Sequence, residues 1–334
     1  MRNSTYYYYL NDYKLNCDTK KSFLASWQGL SFYAHSMLIL FFPAYVFTTY
    51  CILKKTPKSM SSVKWAILNA HCWCFYTDIL VCCLITPYFF FPTVSGFPVG
   101  LLRVLGVPKS VQTFIGFVSC MFMGVSLVAL FENRSSCISN NIFKITKRRT
   151  RLIYYIINCS VIVGYLIPPF SNIPEQESAK FFLIQTIPCP TEEFFYSEVF
   201  IWTIETFWYY YLWISTGVIV LIIICQIFFF SFLCIYYLYI STAVTISLQT
   251  RKHQRAFFLG TITQATLPLI FLAAPVACAM SVFYFEYYSQ EINNSLVLLF
   301  SLHGFASSIT IVLVHHPYRR FLIKTITFKK SEGE

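Results

Sequence analysis

Seven stretches of this chain are too long and too apolar for water to be their solvent. A helix crossing a hydrocarbon core of about 30 Å needs about 20 largely apolar residues. The sequence supplies such runs at about 30–53, 63–91, 111–131, 152–168, 205–240, 256–285 and 295–314, numbered spans 1 to 7. Lys54, Lys55, Pro57 and Lys58 stop the first, Glu132 and Arg134 the third, and Lys147, Arg148, Arg149 and Arg151 precede the fourth. Span 5 exceeds the crossing length and is expected to project past the interface. Pro92–Pro108 is also apolar, but its Pro and Gly residues and Arg103 leave no run that crosses, so it reads as an ordered loop. A soluble domain carries roughly 25% charged residues; the 12% here leaves no room for one. The expected fold is therefore an all-α membrane protein: a seven-helix bundle (30–314) between an N-terminal tail (1–29) and an amphipathic C-terminal tail (315–334). No signal-peptide core precedes Leu30, so span 1 is expected to direct its own insertion. No internal repeat suggests an inverted-repeat transporter.

The net charge of +11 acquires meaning once it is sorted by loop. Lys54, Lys55, Lys58 and Lys64 join spans 1 and 2; Arg134, Lys144, Lys147, Arg148, Arg149 and Arg151 join spans 3 and 4. Arg251, Lys252 and Arg255 join spans 5 and 6, and Arg319, Arg320, Lys324, Lys329 and Lys330 lie in the tail. These are 18 of the 25 basic residues, and they share one side. The positive-inside rule then predicts an extracellular N-terminus and a cytoplasmic C-terminus. It also removes nucleic acid as an expected partner, because membrane orientation accounts for the basic residues.

Three further readings depend on this topology. Asn3-Ser4-Thr5 is an acceptor sequon on the expected outer side, whereas Asn133-Arg134-Ser135 falls inside and Asn293-Asn294-Ser295 lies too close to the membrane. Of 13 Cys, only Cys17 and Cys189 occupy expected extracellular segments, where oxidation is permitted, and they are expected to pair. Trp and Tyr gather near span ends, as at Trp202, Trp208 and Tyr284, as interfacial anchors do.

Enzymatic signatures are missing. The sequence contains no HExxH zinc motif, GxxxxGK[ST] phosphate loop or GxSxG nucleophile. Cys72 and Cys74 are too few for a closed zinc site, and adjacent His315 and His316 cannot chelate one ion. No metal, cofactor or catalytic residue is expected. The candidates are instead polar groups in apolar surroundings. Asp78 is the one acid deep within a span; burial at mid-membrane costs about 2.5–3.5 kcal/mol on insertion scales, so it must face the bundle. His71, seven residues earlier, shares its helix face. The pair serves either as a hinge coupling ligand to helix movement or as a structural polar contact. Pro268 and Pro275 would bend span 6 toward one side, as a pivot or as packing. In span 7, His303-Gly304 and Ser307-Ser308 form a small polar stripe suited to close helix contact. Glu132 and Arg134 at the end of span 3 are either a switch or a solvated boundary. Pro317-Tyr318-Arg319 opens a basic segment fit to lie on anionic lipid.

Several strings occur in order: Ser62-Val63-Lys64-Trp65, Pro87-Tyr88, Leu105-Gly106-Val107-Pro108 with Gln112, Phe131-Glu132-Asn133-Arg134, Ile173-Pro174-Glu175-Gln176-Glu177, Pro188-Cys189-Pro190, Leu302-His303-Gly304 and Pro317-Tyr318-Arg319. Together, from about Ser22 to Arg320, the chain resembles the nematode serpentine chemoreceptors of class H. The resemblance implies a G-protein-coupled receptor in the plasma membrane, on sensory-neuron cilia, that detects an environmental small molecule and activates a heterotrimeric G protein. Glu132-Asn133-Arg134 and His316-Pro317-Tyr318 stand where rhodopsin-like receptors carry other signatures, and no Cys opens span 3. A ligand is expected among spans 3, 5, 6 and 7. Glu132, Arg134, Lys147, Arg148, Arg149, Arg251, Lys252, Arg255, Pro317, Tyr318 and Arg319 are expected to face the G protein. The alternative is a ligand-gated channel of the seven-helix chemoreceptor type, which would place the N-terminus inside.

Overall fold

The computed structural model describes residues 2–17, 21–187, 189–241 and 248–331. Seven helices long and apolar enough to cross a membrane dominate it: Trp27–Lys54, Ser61–Leu84, Lys109–Ser136, Arg148–Ser171, Thr206–Ile240, Gln249–Tyr284 and Gln290–Val314. Their order matches spans 1 to 7. Local chemistry sets several ends. The Ser26 hydroxyl accepts from Gly29 N at 3.0 Å and caps span 1, which finishes before Thr56-Pro57. Pro108 precedes the first residue of span 3, where its missing N–H costs nothing.

The structure differs from the sequence reading most consequentially along spans 2, 3 and 7 and in the connection between spans 2 and 3. Span 2 stops at Leu84 instead of Phe91, because Thr86 adopts a left-handed φ of 44° and Pro87 disfavours helix in the residue before it. The chain released there forms strand β1 (Pro87–Phe89), antiparallel to β2 (Ser95–Pro98), which pairs in turn with β3 (Phe200–Ile201). The segment read as a loop thus holds a strand and a short helix, Leu101–Val104, and all-α describes the bundle but not the cap on it. Span 3 continues to Ser136, carrying Glu132 and Arg134 inside a helix rather than beyond one. Span 7 begins at Gln290 and comprises two helices, Gln290–Phe300 and Leu302–Val314, interrupted at Ser301.

Half of the most apolar window of span 7 is buried and 44% of those of spans 2 and 3, against 17% for spans 4 and 6. Spans 2, 3 and 7 therefore form the centre. Val125, Val128 and Phe131 of span 3 pack on Ile219, Ile223 and Phe230 of span 5. The outer faces present Ile39, Leu40, Ile214 and Phe228, as contact with lipid tails requires.

At the end bearing the N-terminus, the sheet packs Tyr88, Phe90 and Phe97 against Phe194, Ile201 and Val297. Buried Tyr88 donates to Ala25 O at 2.6 Å, tying β1 to the start of span 1. Gly96 is required in β2, since a Cβ there would sit 2.6 Å from Tyr88 O. Helical segments from Arg2 to Asn16 lie over the span 4–5 connection, where Tyr13 donates to Pro190 O at 2.6 Å and Tyr9 to Glu192 at 3.2 Å. Burial and then the Glu192 charge raise Tyr13 to about 12, so it stays a donor at neutral pH. At the opposite end, the tail helix His316–Ser331 buries Tyr318 against Cys51, Ile52 and Leu130.

Candidate functional site

The polar centre of the bundle forms where spans 1, 2 and 7 meet. Asp78, fully buried, accepts a hydrogen bond from Tyr45 of span 1. Its Oδ1 lies 3.1 Å from His303 Nδ1, which also lies 2.7 Å from Phe300 O. Nδ1 carries at most one hydrogen, so the two acceptors compete for it. Gly304 completes the site: a Cβ added there would stand 2.0 Å from Asp78 Oδ2. The break in span 7 at Ser301 puts this carboxylate beside the first turn of the following helix, where an N-terminal dipole favours negative charge. His71 is equally buried but faces elsewhere; its Nε2 lies 3.0 Å from Thr49 Oγ1 and 3.3 Å from Tyr45 O. Asp78 and His71 therefore communicate through Tyr45 and not directly. Pro268 and Pro275 are both buried within one continuous helix of span 6.

A second polar cluster occupies the end bearing the C-terminus. Glu132, fully buried, accepts from Arg151 at 3.1 Å, Tyr155 at 2.8 Å and Ser136 at 2.6 Å. Arg134 turns away from it, toward span 6. Its Nε donates to Thr261 Oγ1 at 2.8 Å and its guanidinium stands 5.4 Å from the Phe257 ring centre. Neither residue is a solvated boundary, because span 3 carries both within its helix and adjacent spans cover them. A cavity of about 390 Å³ beside Arg134 is bordered by Ile138, Cys234 and Gln254. Tyr318 Oη meets Thr56 Oγ1 at 2.7 Å, and His315 Nε2 meets Gln264 Oε1 at 3.1 Å, fastening the tail to spans 1 and 6.

Arrangement alone describes a seven-helix receptor or transporter; comparison with known proteins decides between them. Residues 25–328 match the family described as serpentine type 7TM GPCR chemoreceptor Srh. Serpentine receptor class H-72 of Caenorhabditis elegans is 35% identical over 326 residues, 98% of this chain and 93% of that protein. The chain belongs to the serpentine class H chemoreceptors. It is thus a multi-pass membrane receptor of chemosensory type and not an enzyme. No solved structure matches it.

In this class H receptor the residues expected at a partner surface are not all open to one. Arg148, Arg149, Lys252 and Arg319 are exposed, and Pro317 is partly so. Arg251 instead donates to Leu238 O at 2.7 Å and Ser241 O at 2.8 Å, and Arg255 to Leu238 O at 2.8 Å, so both cap the end of span 5. Cys17 Sγ lies 2.08 Å from Cys189 Sγ in a disulfide that anchors the N-terminal segment to the span 4–5 connection. The Asn3 side chain and Pro188 lie outside the described residues. Asn293, within the third sequon, is fully buried and donates to Phe91 O at 3.2 Å.

Tyr45, Arg151 and Tyr155 complete these clusters and are not among the site residues expected from the sequence. For Arg151 a signal existed, since a buried glutamate at a helix end requires a cation and the next span opens with several. For Tyr45, nothing distinguishes it among 24 tyrosines.

Proposed function

We propose that this receptor sits with its N-terminus outside the cell and its C-terminus in the cytoplasm of the plasma membrane. It detects an environmental small molecule and activates a heterotrimeric G protein. The observation that carries this reading is the charge asymmetry around the bundle, with 18 of 25 basic residues on the side of the C-terminus. On that side Arg148, Arg149, Lys252 and Arg319 offer exposed cations to a partner, while Arg134 and Tyr318 hold the helix ends from within. Asp78, Tyr45 and His303 join spans 1, 2 and 7 at a break in span 7, so a ligand that moved span 7 would have to rearrange buried polar contacts. Such a ligand shifts the equilibrium only through differential affinity for the two arrangements. Its expected site of residence in life is a sensory-neuron cilium, by family membership.

The test is expression in a reporter cell, reading second messengers against a panel of odorants and water-soluble cues. A response abolished by removing the cell's G-protein α subunits supports the proposal. A ligand-evoked current that persists without them would favour the channel and sink the receptor mechanism.

A further inference from the structure

A cavity of about 1040 Å³ opens at the N-terminal end of the bundle, roofed by the N-terminal segment and walled by the span 2–3 and 4–5 connections. Of the four spans expected to hold a ligand, only span 3 reaches it, through Lys109, Ser110 and Gln112. Gln112 is 1% exposed; its amide nitrogen donates to Val107 O at 2.8 Å, but its carbonyl oxygen has no partner among the described residues. A buried acceptor left unmatched is unfavourable, and a donor brought by a ligand would recover that loss.

The other lining groups narrow the class. Lys109 pairs with Glu198 at 2.5 Å, so that charge is matched. Lys180 donates to the carbonyls of Phe195 and Ser197 at 3.1 and 3.0 Å. Arg103 stands 5.6 Å from the Phe97 ring centre and forms no ion pair among the described residues. With three cations against Glu177 and Glu198, the lining carries a net positive charge. Tyr9 and Phe200 supply ring surface, and the volume suits one small molecule.

We infer that this cavity is a binding site for a water-soluble organic acid that carries an O–H or N–H donor, its carboxylate drawn to Arg103 and its donor to Gln112. The inference rests on the receptor reading above, and it locates recognition outside the helical bundle. The carboxylate can form a bidentate, charge-assisted contact with a guanidinium, and the rings accept the body of the molecule.

The test uses the full chain in lipid nanodiscs, titrated by calorimetry with hydroxy- and amino-carboxylates, among them 4-hydroxyphenylacetate and tyrosine. Each is run against its methyl ester, and 4-hydroxyphenylacetate also against phenylacetate. At least one acid is expected to bind, with its ester about tenfold weaker. Arg103→Gln should remove the preference for acid over ester, and Gln112→Met should weaken the donor-bearing acid about tenfold while leaving the donor-free analogue unchanged. Because Gln112 is buried, its variant is scored only with an unchanged melting temperature; Arg103 is exposed and tests the site independently. Failure of every acid to bind, or equal binding by both variants, overturns the site. A compound that drives second messengers equally through wild type and Arg103→Gln removes the site but keeps the receptor; acid binding without any signal does the reverse.

Discussion

At the scale of single residues, Asp78 governs the polar centre because a carboxylate inside a span must find donors. Sequence alone dictated that need, and Asp78 proves fully buried. The identity of the donor was not legible: six other spans compete to supply it, and only packing selects Tyr45 and brings His303 alongside. His71 illustrates the same limit, since helical spacing put it on the face of Asp78 but could not say that Thr49 would take it. Gly304 is the sharpest test of the centre. Gly304→Ala would force a Cβ to within 2.0 Å of Asp78 Oδ2, so span 7 must move or Asp78 must lose Tyr45. The expected outcome is a sharp loss of surface expression and a fall in melting temperature, whereas Gly164→Ala, with nothing within 4 Å of its added Cβ, should be neutral. Tyr45→Phe removes only the hydroxyl that Asp78 accepts from and should destabilise by about 1–3 kcal/mol, read as lower thermal stability in detergent. An unchanged melting temperature would mean that Asp78 finds its donor elsewhere.

At the scale of elements, the length of the apolar runs and the charges that bound them identify all seven spans, because twenty consecutive apolar residues admit few other structures. Ends were less legible. Span 2 stops early because Thr86-Pro87 redirects the backbone, and apolar residues continue into β1, where they serve a sheet instead of lipid. Span 3 runs past Glu132 because Arg151, Tyr155 and Ser136 replace the water that a carboxylate would otherwise need. Removing the cation tests this: Arg151 is partly exposed and Glu132 keeps Tyr155 and Ser136 as donors, so Arg151→Leu should cost about 1–3 kcal/mol, while exposed Arg148→Leu should stay within about 0.5 kcal/mol. Combining Arg151→Leu with Glu132→Gln should recover much of the loss, and strict additivity in that double-mutant cycle would show that the two residues do not interact. The N-terminal segment is held by Tyr9, Tyr13 and the Cys17–Cys189 bond, which closes a loop of sequence separation 172. Cys17→Ser should therefore make residues 2–16 markedly more sensitive to limited proteolysis while leaving the spans intact. Equal cleavage rates would show that packing on the span 4–5 connection suffices without the covalent tie.

At the scale of the whole molecule, an odd number of spans puts the termini on opposite sides, and the remaining question is which side faces the cell interior. Lys and Arg resist transfer across a membrane, so segments rich in them stay on the cytoplasmic side during insertion. The basic residues divide by side as completely as they do because every segment on the C-terminal side carries several, and no single loop decides the count. Lys20 and Lys21 lie near the start of span 1 and oppose this orientation, so a local rule applied to span 1 alone would be ambiguous while the whole-chain count is not. Glycosylation separates the two orientations with existing residues. Asn3 belongs to the acceptor sequon in the N-terminal segment, far in sequence from the first span; Asn133 sits in another at the opposite end of the bundle, within the span 3 helix. Expressed in a glycosylating cell, the wild-type chain should show a glycosidase-sensitive mobility shift that disappears in Asn3→Gln and persists in Asn133→Gln. An N-terminal epitope should stain on intact cells and a C-terminal one only after permeabilisation. The reverse staining pattern would place the basic face outside and remove both the G-protein surface and the approach of a water-soluble ligand to the N-terminal cavity.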